Sequence, residues 1–442
     1  MNDIELPDQL EWYREANRTA AELIRARKPL AAEIILKRAL AVHPQYYELW
    51  ANLSTAIWTQ RRYEEARDAA TRALEIAPNS HLAHANMGLI CEGLGEFEAA
   101  ETHFQKALAD APDYLTARWD YSLLQLGHGD YKRGFEEYDF RIAHQRERDG
   151  NKTYRRFALP EWQGEDLTGK SIHIEAEQGV GDTLFFARFL PWLASKAARV
   201  TVCFSHLVTP LLWGYREIVE FVPMATPLPD VDYHAFIGSI PRFYFRENDA
   251  APLDPGYISK RIDPCTHFRI PEPGARPAFK IGIAWTGNPN QERNDERTIP
   301  LRQLLRVAED PRVWLYGLQV GSPCRELYEL GAGEIVCDLS AELEEHGFVG
   351  TAVAIQQCDL VITCCTSTAH IAGALGKPCW VLLCKDPYWI WGYSDSTTSP
   401  WYPSIRLFRQ KAPSEWAPVI TEVKQALAER IVRSLPDCRS AI

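Results

Sequence analysis

Three prolines, Pro44, Pro78 and Pro112, stand 34 residues apart, and the residues between them keep step. Counting back from each proline at one phase gives Leu23, Ala32, Leu36 and Ala39 in the first interval. The second gives Trp50, Leu53, Ile57, Tyr63, Ala66, Ala70 and Ala73; the third gives Met87, Gly88, Cys91, Gly95, Phe97, Ala100, Phe104 and Ala107. A period this long marks repeated supersecondary units, each too small to bury its own apolar face. Small residues fall where paired helices touch, and a proline lacks the N–H that a continuing helix needs. A fourth, decayed unit carries Tyr121, Gly129, Tyr131, Gly134 and Tyr138 but no closing proline.

This pattern resembles the tetratricopeptide repeat over roughly residues 13–146. The resemblance implies helical hairpins stacked into a curved solenoid with a concave groove. Such a groove holds a peptide or protein, or the repeats serve only to stabilise or dimerise the chain.

At 442 residues the chain has room for about three domains. Its formal charge of -11 argues against a general nucleic-acid binder, which needs a net basic face. The acidic start, MNDIELPDQLEWYREANR, lacks the apolar core of a signal peptide, and no run is apolar enough to span a bilayer. The expected location is the cytoplasm. Eleven scattered cysteines with no C-x-x-C pair read as reduced thiols, and the adjacent Cys364 and Cys365 do not suit a zinc site. No metal is expected.

After a charged junction, HQRERDGNKTYRR, the periodicity changes to strand–helix–strand, the sign of parallel sheets with crossover helices. Residues 171–176 read as a strand, 177–182 as a turn with Gly179 and Gly181, 183–195 as a helix and 199–204 as a strand. Asp182 caps that helix, or acts as a general base at the carboxyl end of a strand. Prolines crowd towards 271–279, taken as a linker. A second lobe opens with KIGIAW at 280–285, followed by a polar loop with Asn288, Arg293 and Arg297 that is either solvated or holds a diphosphate. Further elements are expected at 301–306, 313–317 and 347–357, with a last amphipathic helix over 414–433.

The stretch 358–384, CDLVITCCTSTAHIAGALGKPCWVLLC, reads as strand (359–363), hydroxyl-rich turn (366–370), helix (371–375) and strand (379–383). Thr366, Ser367 and Thr368 fall where the helix begins, so N–H groups, hydroxyls and the positive end of the helix dipole converge there. A phosphate fits that place, as does plain N-capping. His370 is either a core residue or a phosphate or ribose contact. The aromatic tail, with Trp389, Trp391, Trp401 and Tyr402, offers stacking faces or core packing.

With these strings in hand, the chain looks like a bacterial tetratricopeptide-repeat glycosyltransferase. Its second half is similar to the lipopolysaccharide heptosyltransferases (glycosyltransferase family 9) of the two-lobed GT-B class. The strings are HIEAEQGVGDTLFFARFLP, IGIAWTGNPNQERNDERTIPL, CDLVITCCTSTAHIAGALGKP and SPWYPSIRLFRQ. The resemblance implies a helical solenoid over 1–146, an acceptor-side α/β lobe over 147–275 and a donor-side lobe over 276–442. It also implies a metal-independent, inverting transfer from a nucleotide sugar, with no other cofactor. Asp182 would deprotonate the acceptor hydroxyl. Thr286, Asn288 and Arg297 would face the phosphates, and residues 366–370, with Thr366, Ser367, Thr368 and His370, would seat the diphosphate and ribose.

Two positions depart from the heptosyltransferase pattern: Cys365 stands where an aspartate is common, and Thr286–Gly287 where a lysine is expected. Both argue that the donor need not be ADP-heptose. The likeness to the nucleocytoplasmic O-GlcNAc transferase is architectural only. The expected function is therefore transfer of a sugar to a protein recruited by the repeats, a secreted or surface protein such as flagellin. The alternatives are a non-catalytic adaptor with a degenerate GT-B unit, or an enzyme of lipopolysaccharide or glycan assembly.

Overall fold

A computed structural model describes residues 7–150, 154–224, 230–258, 268–274, 278–291 and 293–434. Contacts divide the chain into one unit of Met1–Leu126 with Arg133–Lys152 and a second of Gly127–Lys132 with Thr153–Ile442. The expected lobe boundary at 275, with residues 275–277 of the expected linker at 271–279, lies outside the described residues.

The first unit is helical: α1 Pro7–Arg25, α2 Pro29–Val42, α3 Tyr47–Trp58, α4 Tyr63–Ile76, α5 His81–Leu94 and α6 Phe97–Asp110. Then come α7 Leu115–Gly127, α8 Tyr131–Tyr138 and α9 Arg141–Asp149, the last running past residue 146. Each repeat proline stands two residues beyond the end of α2, α4 or α6. Just before it, the N–H groups of His43, Ala77 and Ala111 donate to the carbonyls of Ala39, Ala73 and Ala107 at 2.9, 2.9 and 3.0 Å. Those three alanines are fully buried. The proline carbonyls accept in turn from a side chain six residues on: Trp50 Nε1 at 2.9 Å, His84 Nε2 at 3.0 Å and Arg118 Nε at 2.6 Å. One device thus closes three successive units with three different donors. In the third, a β-carbon on Gly88 would sit 2.9 Å from the Phe104 ring, so only glycine lets α5 and α6 approach this closely.

The second unit holds two parallel sheets. The first contains β1 Ser171–Glu175, β2 Arg199–Cys203, β3 Glu220–Phe221 and β4 Tyr233–Phe236, in the order β3-β2-β1-β4. Its helices are α10 Val180–Ala187, α11 Leu190–Lys196 and α12 Ile240–Glu247. The single helix expected over 183–195 is therefore two. Pro191 cannot donate to the carbonyl of Ala187, and the ladder breaks there.

The second sheet contains β5 Phe279–Ala284, β6 Val313–Gly317, β7 Val336–Asp338, β8 Leu360–Cys364, β9 Cys379–Leu383 and β10 Ile405–Arg409. Its order is β10-β9-β8-β5-β6-β7, the doubly wound arrangement in which the first and fourth strands of the lobe are central neighbours. The helices are α13 Asn294–Arg297, α14 Leu301–Leu304, α15 Arg325–Glu329, α16 Ser340–Gln357, α17 Ser367–Ala374 and α18 Trp416–Ser434. β5, β6 and β8 pack Ile281, Ile283, Leu315, Leu360, Ile362 and Cys364 against the apolar face of α18, with Val419, Val423 and Leu427. Strands with both faces covered read as continuous apolar runs, as these do. The aromatic tail is core: Trp389, Trp391, Trp401 and Tyr402 are all buried.

Candidate active site

In an open parallel sheet the strand order reverses once, and the loops leaving the carboxyl ends of the two strands there diverge to leave a crevice. In the second lobe these strands are β5 and β8, paired from Ile281 with Leu360 to Ala284 with Thr363. Thr286, Gly287 and Asn288 follow β5; Cys365 and residues 366–370 follow β8. In the first lobe the reversal lies between β1 and β4, and Glu177, Gly179, Gly181 and Asp182 follow β1. The helices that begin at these crevices, α10 and α17, pack against one another.

Asp182 is not the N-cap. Gly179 caps α10, and Asp182 is its third residue, with Thr183 N–H bonded to the Gly179 carbonyl at 2.9 Å. Burial pushes the Asp182 carboxyl up to about 6, and the neighbouring charge of Glu177 adds to the rise. The N–H groups of Gly179 and Asp182 and the Arg297 cation act the other way without cancelling it. The result is a half-buried carboxyl that changes protonation just below neutrality.

On the opposing side α17 begins at Ser367, four residues earlier than the expected 371, because Thr366 adopts the extended capping conformation (φ -140°) directly after β8. Its hydroxyl lies 3.3 Å from that of Thr363. Ser367 is half-buried and Thr368 buried, both in the first turn. His370, in the next position but one, is buried, with Nδ1 at 2.9 Å from the Tyr402 hydroxyl. Burial, with the Arg188 and Arg297 charges, holds its imidazole neutral down to about 3. Arg188 lies 4.5 Å over the Tyr402 ring and donates to the carbonyls of Trp401 (2.8 Å) and Phe185 (2.9 Å).

The loop after β5 is held by Asn294, a buried carboxamide. Its Nδ2 donates to the Thr286 hydroxyl at 2.9 Å, while its Oδ1 accepts from Gly287 N–H at 3.0 Å and Arg297 Nε at 3.1 Å. Arg297 Nη1 reaches the carbonyl of Cys365 at 2.9 Å and so ties the two loops of the crevice together. A β-carbon on Gly287 would overlap the Arg297 guanidinium. The cation thus lies directly against the β5 loop. Cys365 accepts from Trp391 Nε1 at 2.8 Å, and burial pushes its thiol up.

Asp182, Thr286, Arg297, Thr366, Ser367, Thr368 and His370 therefore surround the meeting of α10 and α17, with Gly179 and Gly181 at the start of α10. Asn288 does not join them: it is exposed, and its Oδ1 accepts from Asn290 N–H at 3.0 Å in a local turn. Arg293 is turned to Glu296 (2.7 Å) and the Asp386 carbonyl (2.7 Å). Asn294 and Arg188 are not singled out by the sequence, and Trp391 and Tyr402 enter it only as stacking faces or core. Trp391 and Tyr402 stand in the aromatic tail, but nothing in its pattern separates site from core. Among the described residues no three His, Cys, Asp or Glu side chains form a metal-binding group, and no helix is long and apolar enough to cross a membrane.

Residues 17–81 and 81–114 match tetratricopeptide repeat models, so the N-terminal region is a tetratricopeptide array. Along 454 aligned residues the chain is 25% identical to Protein FlbA of Caulobacter vibrioides, covering 96% of this chain and 73% of that protein. Among solved structures, an O-GlcNAc transferase mutant of Thermobaculum terrenum aligns over 98% of this chain and 95% of its own, at 15% identity and a TM-score of 0.34. The second TPR domain of human RPAP3, in complex with an HSP70 peptide, aligns over 25% of this chain and 92% of its own, at 23% identity and a TM-score of 0.23.

Proposed function

We propose that this chain is a glycosyltransferase that moves a sugar from a nucleotide-sugar donor to an acceptor hydroxyl. The observation that carries the reading is the approach of one lobe's carboxyl, Asp182, to the cation- and hydroxyl-bearing reversal point of the other. In this reading the donor diphosphate lies at the start of α17, by the hydroxyls of Thr366, Ser367 and Thr368 and the guanidinium of Arg297. Asp182 takes the proton of the acceptor hydroxyl as its oxygen bonds to the anomeric carbon. The bond from that carbon to the diphosphate breaks, and the departing nucleoside diphosphate keeps the electron pair. Arg297 and the first-turn N–H groups offset its charge, without a metal. Attack and departure on opposite faces invert the anomeric centre. A carboxyl that titrates near 6 is well matched to this task at neutral pH.

The family 9 likeness remains the finer assignment, with Cys365 and Thr286–Gly287 arguing for a donor other than ADP-heptose. Recruitment of a protein acceptor is the part we assign to the repeats, in the cytoplasm; a glycan or lipid-linked acceptor would use the same chemistry. One observation favours a non-catalytic adaptor: Arg297 already donates to Asn294 and to the Cys365 carbonyl. Calorimetry with a panel of nucleoside diphosphates and nucleotide sugars separates the two. A transferase binds at least one of them, and Arg297→Met weakens that binding at least tenfold. Absence of binding across the panel would leave the adaptor.

A further inference from the structure

The candidate active site lies beyond the carboxyl ends of β5 and β8. A separate cleft of about 570 Å³ opens at the other end of the second lobe, where Pro378 and Ser404 lead into β9 and β10 and the last turns of α18 pass by. Its volume is within the ordinary range for a small-molecule site. Arg406, Arg430 and Arg433 line it, against a single lining carboxylate, Glu429.

Two atoms in its wall are unsatisfied. Arg430 Nε and Ser404 Oγ are buried and have no hydrogen-bond partner among the described residues. Arg430 is only half-buried, but an Nε–H and a hydroxyl shut off from water with no partner are costly unless something supplies one. Burial lowers the Arg430 pKa from the usual arginine value, and the charge of Asp359 opposes this without reversing it. Arg406 is 3.8 Å from Glu422, a loose pair with both side chains about half exposed, so its fork of donors is not committed to that partner. Arg406 also lies 4.6 Å over the Phe408 ring, which fixes its stem beside the cleft.

We propose that this cleft is a second binding site and that it takes a small phosphorylated sugar. Arg430, with Arg406 and Arg433, would bind the phosphate, since a planar guanidinium matches phosphate oxygens two at a time. The Ser404 hydroxyl and the Glu429 carboxylate would take the sugar hydroxyls, beside a Thr398 hydroxyl already bonded to that of Ser396 at 2.9 Å. A bare phosphate would leave most of the volume and these groups unused.

Titration calorimetry on the full chain tests this with glucose 1-phosphate, inorganic phosphate and glucose as probes. Glucose 1-phosphate should bind at least tenfold more tightly than either of the others. Arg430→Met should weaken it at least tenfold, and Arg433→Met, an exposed position that the fold tolerates, about threefold or more. Arg297→Met, in the candidate active site, should leave this binding unchanged. The proposal is overturned if glucose 1-phosphate does not bind, if it binds no better than inorganic phosphate, or if Arg433→Met and Arg430→Met leave its affinity intact. Loss of binding in Arg297→Met alone would also overturn it, by placing the ligand in the other crevice.

Discussion

A β-carbon built on Gly181 would lie 2.8 Å from Cδ2 of His370, closer than real side chains approach. Neither Gly181 nor Gly179 has a positive φ, and Gly181 is needed for space rather than for a left-handed turn. Gly181 is where the first lobe's helix start rests on the second lobe's. Gly181→Ala should therefore push α10 and α17 apart, lower transfer at least tenfold, and cost about 1–3 kcal/mol of stability. Thermal melts and transfer rates on the same preparation check both halves.

Asp182 links activity and stability with opposite signs. Its carboxyl titrates at about 6 in the fold against an ordinary 3.8, so between these values the folded chain holds a proton that the unfolded chain has released. Stability is then lost, not gained, as pH rises through this window. Asp182→Asn should be more stable than the native chain at pH 8, by roughly 2 kcal/mol, and the advantage should vanish below about pH 4. Transfer by the native chain should rise with pH through about 6 and level off above it.

Glu33 organises the first two repeats. It is buried and accepts from Lys37 at 2.6 Å, Arg62 at 2.7 Å and Gln60 at 2.8 Å. Burial works to raise its pKa, but the three bonds outweigh it and bring the carboxyl down to about 2. The stabilisation is thus complete above 4.5 and is lost as pH falls towards 2. Glu33→Gln should destabilise the repeat unit by about 1–2 kcal/mol at pH 7 and by roughly half as much at pH 3, where the folded carboxyl is still mostly ionised. Urea unfolding at the two pH values measures this.

His84 and His103 meet through their Nδ1 atoms at 2.9 Å. The Pro78 carbonyl can only accept, so His84 Nε2 carries a proton, and the neutral His84 Nδ1 accepts from His103 Nδ1–H. Protonating His84 would set its Nδ1–H against that of His103, whereas His103 would take its second proton on Nε2, where burial opposes the charge. Burial, His84 and Lys106 lower His103 to about 4, below the ordinary 6.5, so stability is full above 6.5 and declines as pH falls towards 4. His103→Gln should flatten that decline between pH 6.5 and 5 by about 1 kcal/mol, read from melts monitored at 222 nm.

The repeats were legible because each unit spells the same instruction: Ala39, Ala73 and Ala107 at the contact, then a proline two residues past the helix end. The β8–α17–β9 stretch was legible for a related reason, an apolar strand run on each side of a small-residue helix; β9 matches its expected bounds of 379–383. Helix starts were displaced because Thr366 and Gly179 cap earlier than the apolar pattern implies. Two short strands, β7 Val336–Asp338 and β10 Ile405–Arg409, escaped notice, the first for its length and the second because it sits within the aromatic tail. Within the site, residue types pointed to Asp182, Thr366 and Arg297. Asn294, Tyr402 and Arg188 act through contacts between segments distant in the chain, such as Arg188 with Trp401, and no local spacing encodes those.

The account depends on a carboxyl from one lobe acting on an acceptor while the other lobe holds the donor. The most direct measurement compares Asp182→Asn with the native chain at pH 7.5, following sugar transfer and nucleoside diphosphate affinity for the nucleotide that calorimetry identifies. Transfer should fall by about a hundredfold to ten-thousandfold while the affinity stays within about twofold. Transfer at the native rate by Asp182→Asn, with the nucleotide still bound, would contradict it.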